Sequence, residues 1–291
     1  MLTELAELGF AYAELSHGVR MSLVPGILKA VEDGVIQISS VHNFCPLPIG
    51  VMGAAPNLYE PAAASRRERI LWLHNTLKTI DFTARVGSEC IVLHSGRARY
   101  FFGDPSRKFE DLWDKRTDGM EAQLEAQREK VLRALRKKAR SGMKRLEESL
   151  GLIVERAKER GVKLGLENRE GMGELPLDEE MLPLQERLKE HEVFGYWHDS
   201  GHAQIKDRMG LLEHGPFLES LRPHLLGFHL HDVTEDDHDH QIPGTGTIDW
   251  AHLASQVRDG DVVVAELSPR LRPEEVMASR DFLLQTLPLS T

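Results

Sequence analysis

Between Gly227 and Trp250 the chain reads GFHLHDVTEDDHDHQIPGTGTIDW, which sets His229, His231, His238 and His240 among Asp232, Glu235, Asp236, Asp237 and Asp239. Four of the 14 histidines fall within these few residues. A solvated acidic loop accounts for the aspartates but leaves the imidazoles unexplained. Neutral imidazole is the commonest protein metal ligand, and imidazole mixed with carboxylate suits zinc, manganese or iron. The stretch is therefore expected to form one wall of a metal site. The Pro-Gly-Thr-Gly run at 243–246 closes it as a turn; neither a Lys-Ser/Thr pair nor the dinucleotide-binding glycine spacing follows, so it is not a phosphate loop.

The other walls must come from elsewhere, and the same residue types recur at the ends of apolar segments. Strand-like segments are expected near 11–15, 37–42, 90–94, 162–167, 194–199, 225–231 and 262–267, alternating with helical patterns near 2–8, 24–33, 65–86, 178–190, 207–221, 250–257 and 273–286. Near the C-terminal end of each strand stands a polar residue: Glu14, His42, His94, Glu167, Asp199, His229 and Glu266. Strand–helix alternation implies a parallel sheet in an α/β fold. Enzymes on (β/α)8 barrels place their chemistry at the C-terminal strand ends, whereas a doubly wound sheet would gather it in one crevice. Period-two parity groups Gly165 with Glu167, Val92 with His94, Ser40 with His42, and Gly227 with His229 and His231, as a crowded barrel interior requires.

Two features fit a regular eight-fold barrel less closely. Seven strands are counted, so a barrel of eight lacks its first strand or closes with seven. The segment from 118 to 160 carries Leu124, Val131, Leu135, Ala139, Leu146, Leu150, Val154 and Ala157 near helical spacing. At about 1.5 Å per residue it would reach roughly 60 Å. A break at Ser141-Gly142 or a protruding arm is expected, and a homodimer contact competes with a solvated helix bearing a core-facing stripe. The chain of 291 residues, 41% apolar, is read as one barrel domain over 1–291 with a helical extension around 100–160. A formal charge of −10 argues against a surface built for nucleic acid. Two cysteines, Cys45 and Cys90, no apolar run near 18 residues and no leader-like start point to a soluble, cytoplasmic setting.

With Glu167, Asp199-x-x-His202, His229-x-x-Asp232, the HxxPGxG run from His240 and Glu266 in hand, the chain resembles the xylose-isomerase-like TIM-barrel superfamily over nearly its whole length. That superfamily holds sugar and sugar-phosphate isomerases and epimerases together with apurinic endonucleases of the endonuclease-four type. The epimerase branch implies a divalent metal (Zn, Mn, Co, Fe or Mg) held by Glu167, Asp199, His229 and Glu266. His202 resembles a substrate-contacting residue there and a second-metal ligand in the endonucleases, whose additional positions resemble His42, His94, His238 and His240.

The resemblance implies an isomerase or epimerase of a sugar or sugar phosphate, working through a metal-stabilised enediolate. Glu167 and Glu266 would move the carbon proton, with His202 beside them and His42, His94, Arg169 and His231 contacting substrate. The competing readings are a multinuclear zinc phosphodiesterase and a catalytically silent metal-binding barrel. Arg97, Arg99, Arg107, Lys108, Lys115 and Arg116 follow the His94 strand and could line the mouth for a phosphate in either enzyme. His17, His74, His191, His198, His214, His224 and His252 are assigned to surface, helix or helix-facing positions. Cys45 is read as a small core residue, not a nucleophile.

Overall fold

The computed structural model describes residues 1–100 and 102–289. Helix α1 (Leu2–Glu7) precedes β1 (Tyr12–Leu15), α2 (Val24–Glu32), β2 (Gln37–His42), α3 (Arg66–Arg85) and β3 (Cys90–Leu93). Three consecutive helices follow, α4 (Pro105–Asp114), α5 (Glu121–Gly151) and α6 (Val154–Arg160). Then come β4 (Lys163–Glu167), α7 (Asp178–Leu188), β5 (Phe194–Asp199), α8 (Ser200–Arg208) and α9 (His214–Leu221). The last elements are β6 (Leu225–Leu230), α10 (Trp250–Gln256), β7 (Val262–Ala265) and α11 (Pro273–Thr286).

All seven strands pair in parallel and in chain order, so the expected barrel is observed. No pairing joins β7 to β1 among the described residues, which leaves a nearly closed barrel with one seam.

The interior is plugged below the strand ends. Trp197, fully buried, pairs in register with Glu167 on one side and Gly227 on the other, and packs with Cys90 and Val92. Gly227 carries no side chain for a steric reason: a Cβ there would lie 2.6 Å from the Trp197 ring. The small residues that parity placed beside the ligand candidates make room for this indole. Two register shifts then align the chemistry. One at Ala13/Glu14 sets Glu14 opposite Ser40, and one at Tyr196/Trp197 sets Asp199 opposite His229.

Two helix boundaries differ from expectation. Helix α5 runs unbroken through Ser141-Gly142, and the chain bends at Leu152-Ile153 instead. Gly142 serves packing, because a Cβ would stand 2.7 Å from Leu175 Cδ1. The stripe Val131, Leu135, Ala139, Met143, Leu146 and Leu150 is buried, so the 31-residue helix lies on the barrel and is not a protruding arm. The helix expected near 207–221 is two helices. Helix α8 begins directly after β5 because the Asp199 carboxylate caps it, accepting from His202 N at 2.7 Å. Both cysteines are free and buried, and burial pushes the Cys90 thiol up to about 11. No helix among the described residues is long and apolar enough to cross a membrane.

Candidate active site

Four strand ends bring Glu167 (β4), Asp199 (β5), His229 (β6) and Glu266 (directly after β7) together, each offering a donor atom within 4.8 Å of the others. His229 is central. Its Nδ1 lies 3.0 Å from Glu167 Oε1, 2.9 Å from Glu266 Oε2 and 3.9 Å from Asp199 Oδ2. On its far side Nε2 stands 3.1 Å from both oxygens of Glu14, which also accepts from Ser40 Oγ at 2.6 Å. An Nε2–H donated to Glu14 leaves the Nδ1 lone pair facing the three carboxylates, the tautomer a metal ligand needs.

Charge supports the same conclusion. Glu167, Asp199 and His229 are buried to within 1% of full enclosure, and three clustered carboxylates repel one another unless a cation lies between them. Burial works against ionisation of Glu167, yet the Arg169 guanidinium and the bonds from His229 and His94 hold it well below the usual carboxylate range. Burial likewise opposes a charge on His229, but Glu266 and Glu14 raise it well above an ordinary histidine. Arg169 and His94 meet Glu167 and His231 meets Asp199, but His229 Nδ1 faces all three carboxylates at once, an arrangement that a divalent cation would fit. The donor set, three carboxylates and one imidazole, fits manganese, magnesium, iron, cobalt or zinc.

The other anticipated residues divide by position. His94 places Nε2 2.8 Å from Glu167 Oε2, and His42 places Nε2 3.9 Å from the same oxygen; together the three form a second group of converging donors. Arg169 donates Nη1–H to Glu167 at 2.7 Å and stands 3.5 Å from Glu174. His202 commits Nδ1 to the Asn168 carbonyl at 3.0 Å, and forms a further donor group with Glu170 and Asp239. His231 is engaged at both nitrogens: Nδ1 accepts from the His240 backbone N–H at 2.9 Å, and Nε2 lies 3.2 Å from Asp199. His231 thus holds Asp199 through Nε2 while its Nδ1 is taken by the histidine loop. His240 donates Nδ1–H to the Glu266 carbonyl at 2.9 Å and groups with His231 and Glu266. His238 is not brought to the site. Its side chain is 73% exposed beside Asp236, because the chain turns outward at Asp237, whose φ is 65°.

Several contributors lie outside the expected ligand and substrate-contacting residues. Asn168 ties two strand ends together, donating to the Asp199 carbonyl at 2.9 Å and accepting from the Asp199 N–H at 2.7 Å and the Tyr196 hydroxyl at 2.9 Å. Asp232 is the hub of the histidine loop: its two oxygens accept from Val233 N, Ile248 N, Gly244 N and Trp250 Nε1 at 2.8–3.2 Å. Asp237 pins the loop's tip to α4 and α8 through Arg116 at 2.7 Å, Arg208 at 2.9 Å and Trp113 Nε1 at 2.8 Å. His17, assigned from sequence to the surface or a helix, meets the His42 ring edge-on at 4.7 Å and belongs to the mouth. The local signals for these residues were the position of Asn168 next to Glu167 and that of Asp232 three residues after His229.

Comparison with known proteins agrees with this architecture. No curated protein sequence matches. Among solved structures, a D-tagatose 3-epimerase-like protein is 19% identical with a TM-score of 0.67, covering 97% of this chain and 90% of its own. The 3-keto-D-glucoside 4-epimerase YcjR from E. coli is 16% identical with a TM-score of 0.64, covering 98% and 92%. D-psicose 3-epimerase from Clostridium cellulolyticum H10, solved with D-tagatose, is 14% identical with a TM-score of 0.63 and the same coverage. At these identities the likeness shows the fold. The family described as xylose isomerase-like TIM barrel matches residues 2–286, and the chain belongs to that family.

Proposed function

We propose that this protein is a divalent-metal-dependent isomerase or epimerase of a sugar or sugar phosphate. The observation that carries the reading is the convergence of Glu167, Asp199, His229 and Glu266 at the barrel mouth, with a carboxylate from each side meeting His229 Nδ1. The sugar epimerases that share the fold support it. A divalent cation bound there would supply Lewis-acid stabilisation of charge developing on adjacent substrate oxygens.

The chain's own residues divide the remaining work. Glu266, 28% exposed, faces the mouth, whereas Glu167 is 1% exposed and fixed by Arg169, His94 and His229. Substrate carbon placed between them exchanges its proton with Glu266 on the open face and Glu167 on the closed one. His202, with Nδ1–H held by Asn168, presents Nε2 as an acceptor for a substrate hydroxyl. Trp197 beneath the cluster keeps bulk water from the barrel interior.

The test is exchange in D2O. Protein loaded with Mn2+ and offered ketoses, aldoses and their phosphates should place deuterium on the carbon next to the carbonyl, and Glu167→Gln and Glu266→Gln should each abolish this. A metal-loaded wild type that labels none of them would remove the reading.

The additional donor groups around His42/His94, His202 and His231/His240 favour a second reading, a multinuclear zinc phosphodiesterase. Metal content separates the two: one ion per chain supports the isomerase, three support the hydrolase, and none leaves a silent barrel. The engagement of both His231 nitrogens within the protein favours one ion.

A further inference from the structure

Beside the metal-ligand cluster lies a cavity of about 530 Å³ with a lining that sugar hydroxyls alone do not require. Asn57 belongs both to this lining and to the site, because its Oδ1 is 2.9 Å from His94 Nδ1 while His94 Nε2 is 2.8 Å from Glu167. A single imidazole thus separates the cavity from the proposed ligands. Three arginines line it, Arg97, Arg99 and Arg107, against two carboxylates, Glu60 and Asp104.

Those carboxylates are already engaged. Glu60 holds Arg99 through Oε1 at 2.9 Å and Oε2 at 3.0 Å. Asp104 caps α4, with Oδ1 accepting from Ser106 N at 3.0 Å and Ser106 Oγ at 2.6 Å, and its other oxygen is 3.9 Å from Arg97. Arg107 has no ion-pair partner among the described residues. The Tyr100 hydroxyl, in the same lining, is buried with no hydrogen-bond partner. An unsatisfied buried hydroxyl is unfavourable, and beside the unpaired Arg107 and an Arg97 held only at 3.9 Å by Asp104 the partner it fits is an anionic oxygen. Arginine's planar donors match phosphate geometry.

We propose that this cavity is the subsite for a phosphate monoester on the substrate, bound by Arg97, Arg107 and Tyr100, so that the chain acts on a sugar phosphate in preference to the free sugar. The assignment rests on the isomerase reading above for its substrate but not for its binding chemistry. Inorganic phosphate titrated calorimetrically into the Mn2+-loaded protein should bind, and Arg97→Gln/Arg107→Gln should weaken it by about 30-fold or more, with Tyr100→Phe costing about fivefold. Both arginines reach solvent, so unchanged melting temperatures are expected and serve as the folding control. Phosphate binding that the double variant leaves unaltered would place the anion on the metal and overturn the subsite.

The second arm compares a ketopentose with its 5-phosphate in the D2O assay. KM for the phosphate should be at least tenfold lower in the wild type, and the gap should vanish in the double variant. Equal KM values in the wild type, with phosphate still bound through the arginines, would overturn the substrate assignment and leave a site for free phosphate. Arginine-dependent phosphate binding without exchange of either sugar would sustain the subsite and sink the isomerase reading.

Discussion

Glu14 never touches the proposed cation, yet its loss should weaken metal binding, and the structure sets the expected size. Its two oxygens receive His229 Nε2–H at 3.1 Å, and Ser40 Oγ reinforces one of them at 2.6 Å. A carboxylate in that position makes the imidazole more basic and holds Nδ1 toward Glu167, Asp199 and Glu266; removing such a partner costs about 10- to 100-fold in metal affinity, or about 1.4 to 2.8 kcal/mol. Glu14→Gln keeps one acceptor oxygen for Nε2–H, and the Ser40 hydroxyl can rotate to accept from the new amide. Only the charge is lost, so the expected effect is near tenfold. Glu14→Ala also strands the buried Nε2–H and should approach a hundredfold. The assay is competition for Mn2+ or Zn2+ against a fluorescent chelator, with melting of the metal-free protein as control. In that state Glu14→Gln removes one negative charge from a site that keeps Glu167, Asp199 and Glu266, so its melting point should move less than its metal affinity. Wild-type metal affinity in both variants would refute the assignment of His229 as a ligand oriented by Glu14.

Gly227→Ala should destabilise the protein by about 1–3 kcal/mol through overpacking, since the new Cβ would lie 2.6 Å from the Trp197 ring and 2.9 Å from the Val262 carbonyl; an unchanged melting temperature would contradict the packing described for the barrel interior. Asp232→Asn turns an amide N–H2 toward backbone or indole N–H donors, at an expected cost of about 3 kcal/mol. Hydrogen exchange at Gly244 and Ile248 should accelerate, and undiminished protection there would deny Asp232 its part in the loop. Burial depresses His214 to about 4, with His252 adding to it against Asp199 and Asp249, while His198 Nε2 and Gln204 Oε1 lie at 3.1 Å. Because the folded value lies below the unfolded one of about 6.5, the stability from neutral His214 is present above pH 6.5 and is lost as the pH falls toward 4. His214→Gln should flatten that part of the melting profile; identical slopes for variant and wild type would exclude the contribution.

Much of the frame was legible in the chain because strand and helix periodicities are local properties. Alternating apolar residues placed seven strands, and a polar residue at the end of each pointed to one barrel mouth. The density of histidine and aspartate between His229 and His240 likewise marked a sector of the mouth where donor atoms converge. Helix boundaries were less legible where packing overrode propensity. Gly142 weakens a helix by about 1 kcal/mol relative to alanine, yet α5 runs on through it, and the missing side chain leaves room for Leu175. Asp199 looked like a strand-end ligand, and its second use as the cap of α8 was visible only once His202 N lay 2.7 Å away.

Which histidine does what was decided by tertiary structure. The register shift at Tyr196/Trp197 brings His229 level with Asp199, and the left-handed turn at Asp237 carries His238 out to solvent. Asn57 meets His94, and Glu14 meets His229, across separations of 37 and 215 residues. Residue type alone determined that this chain could assemble a barrel mouth rich in metal-donor atoms, because donor chemistry and hydrophobic period reside in the sequence. The roles of individual donors required the fold, because coordination depends on distances between strands and on which ring nitrogen a neighbouring group has already taken.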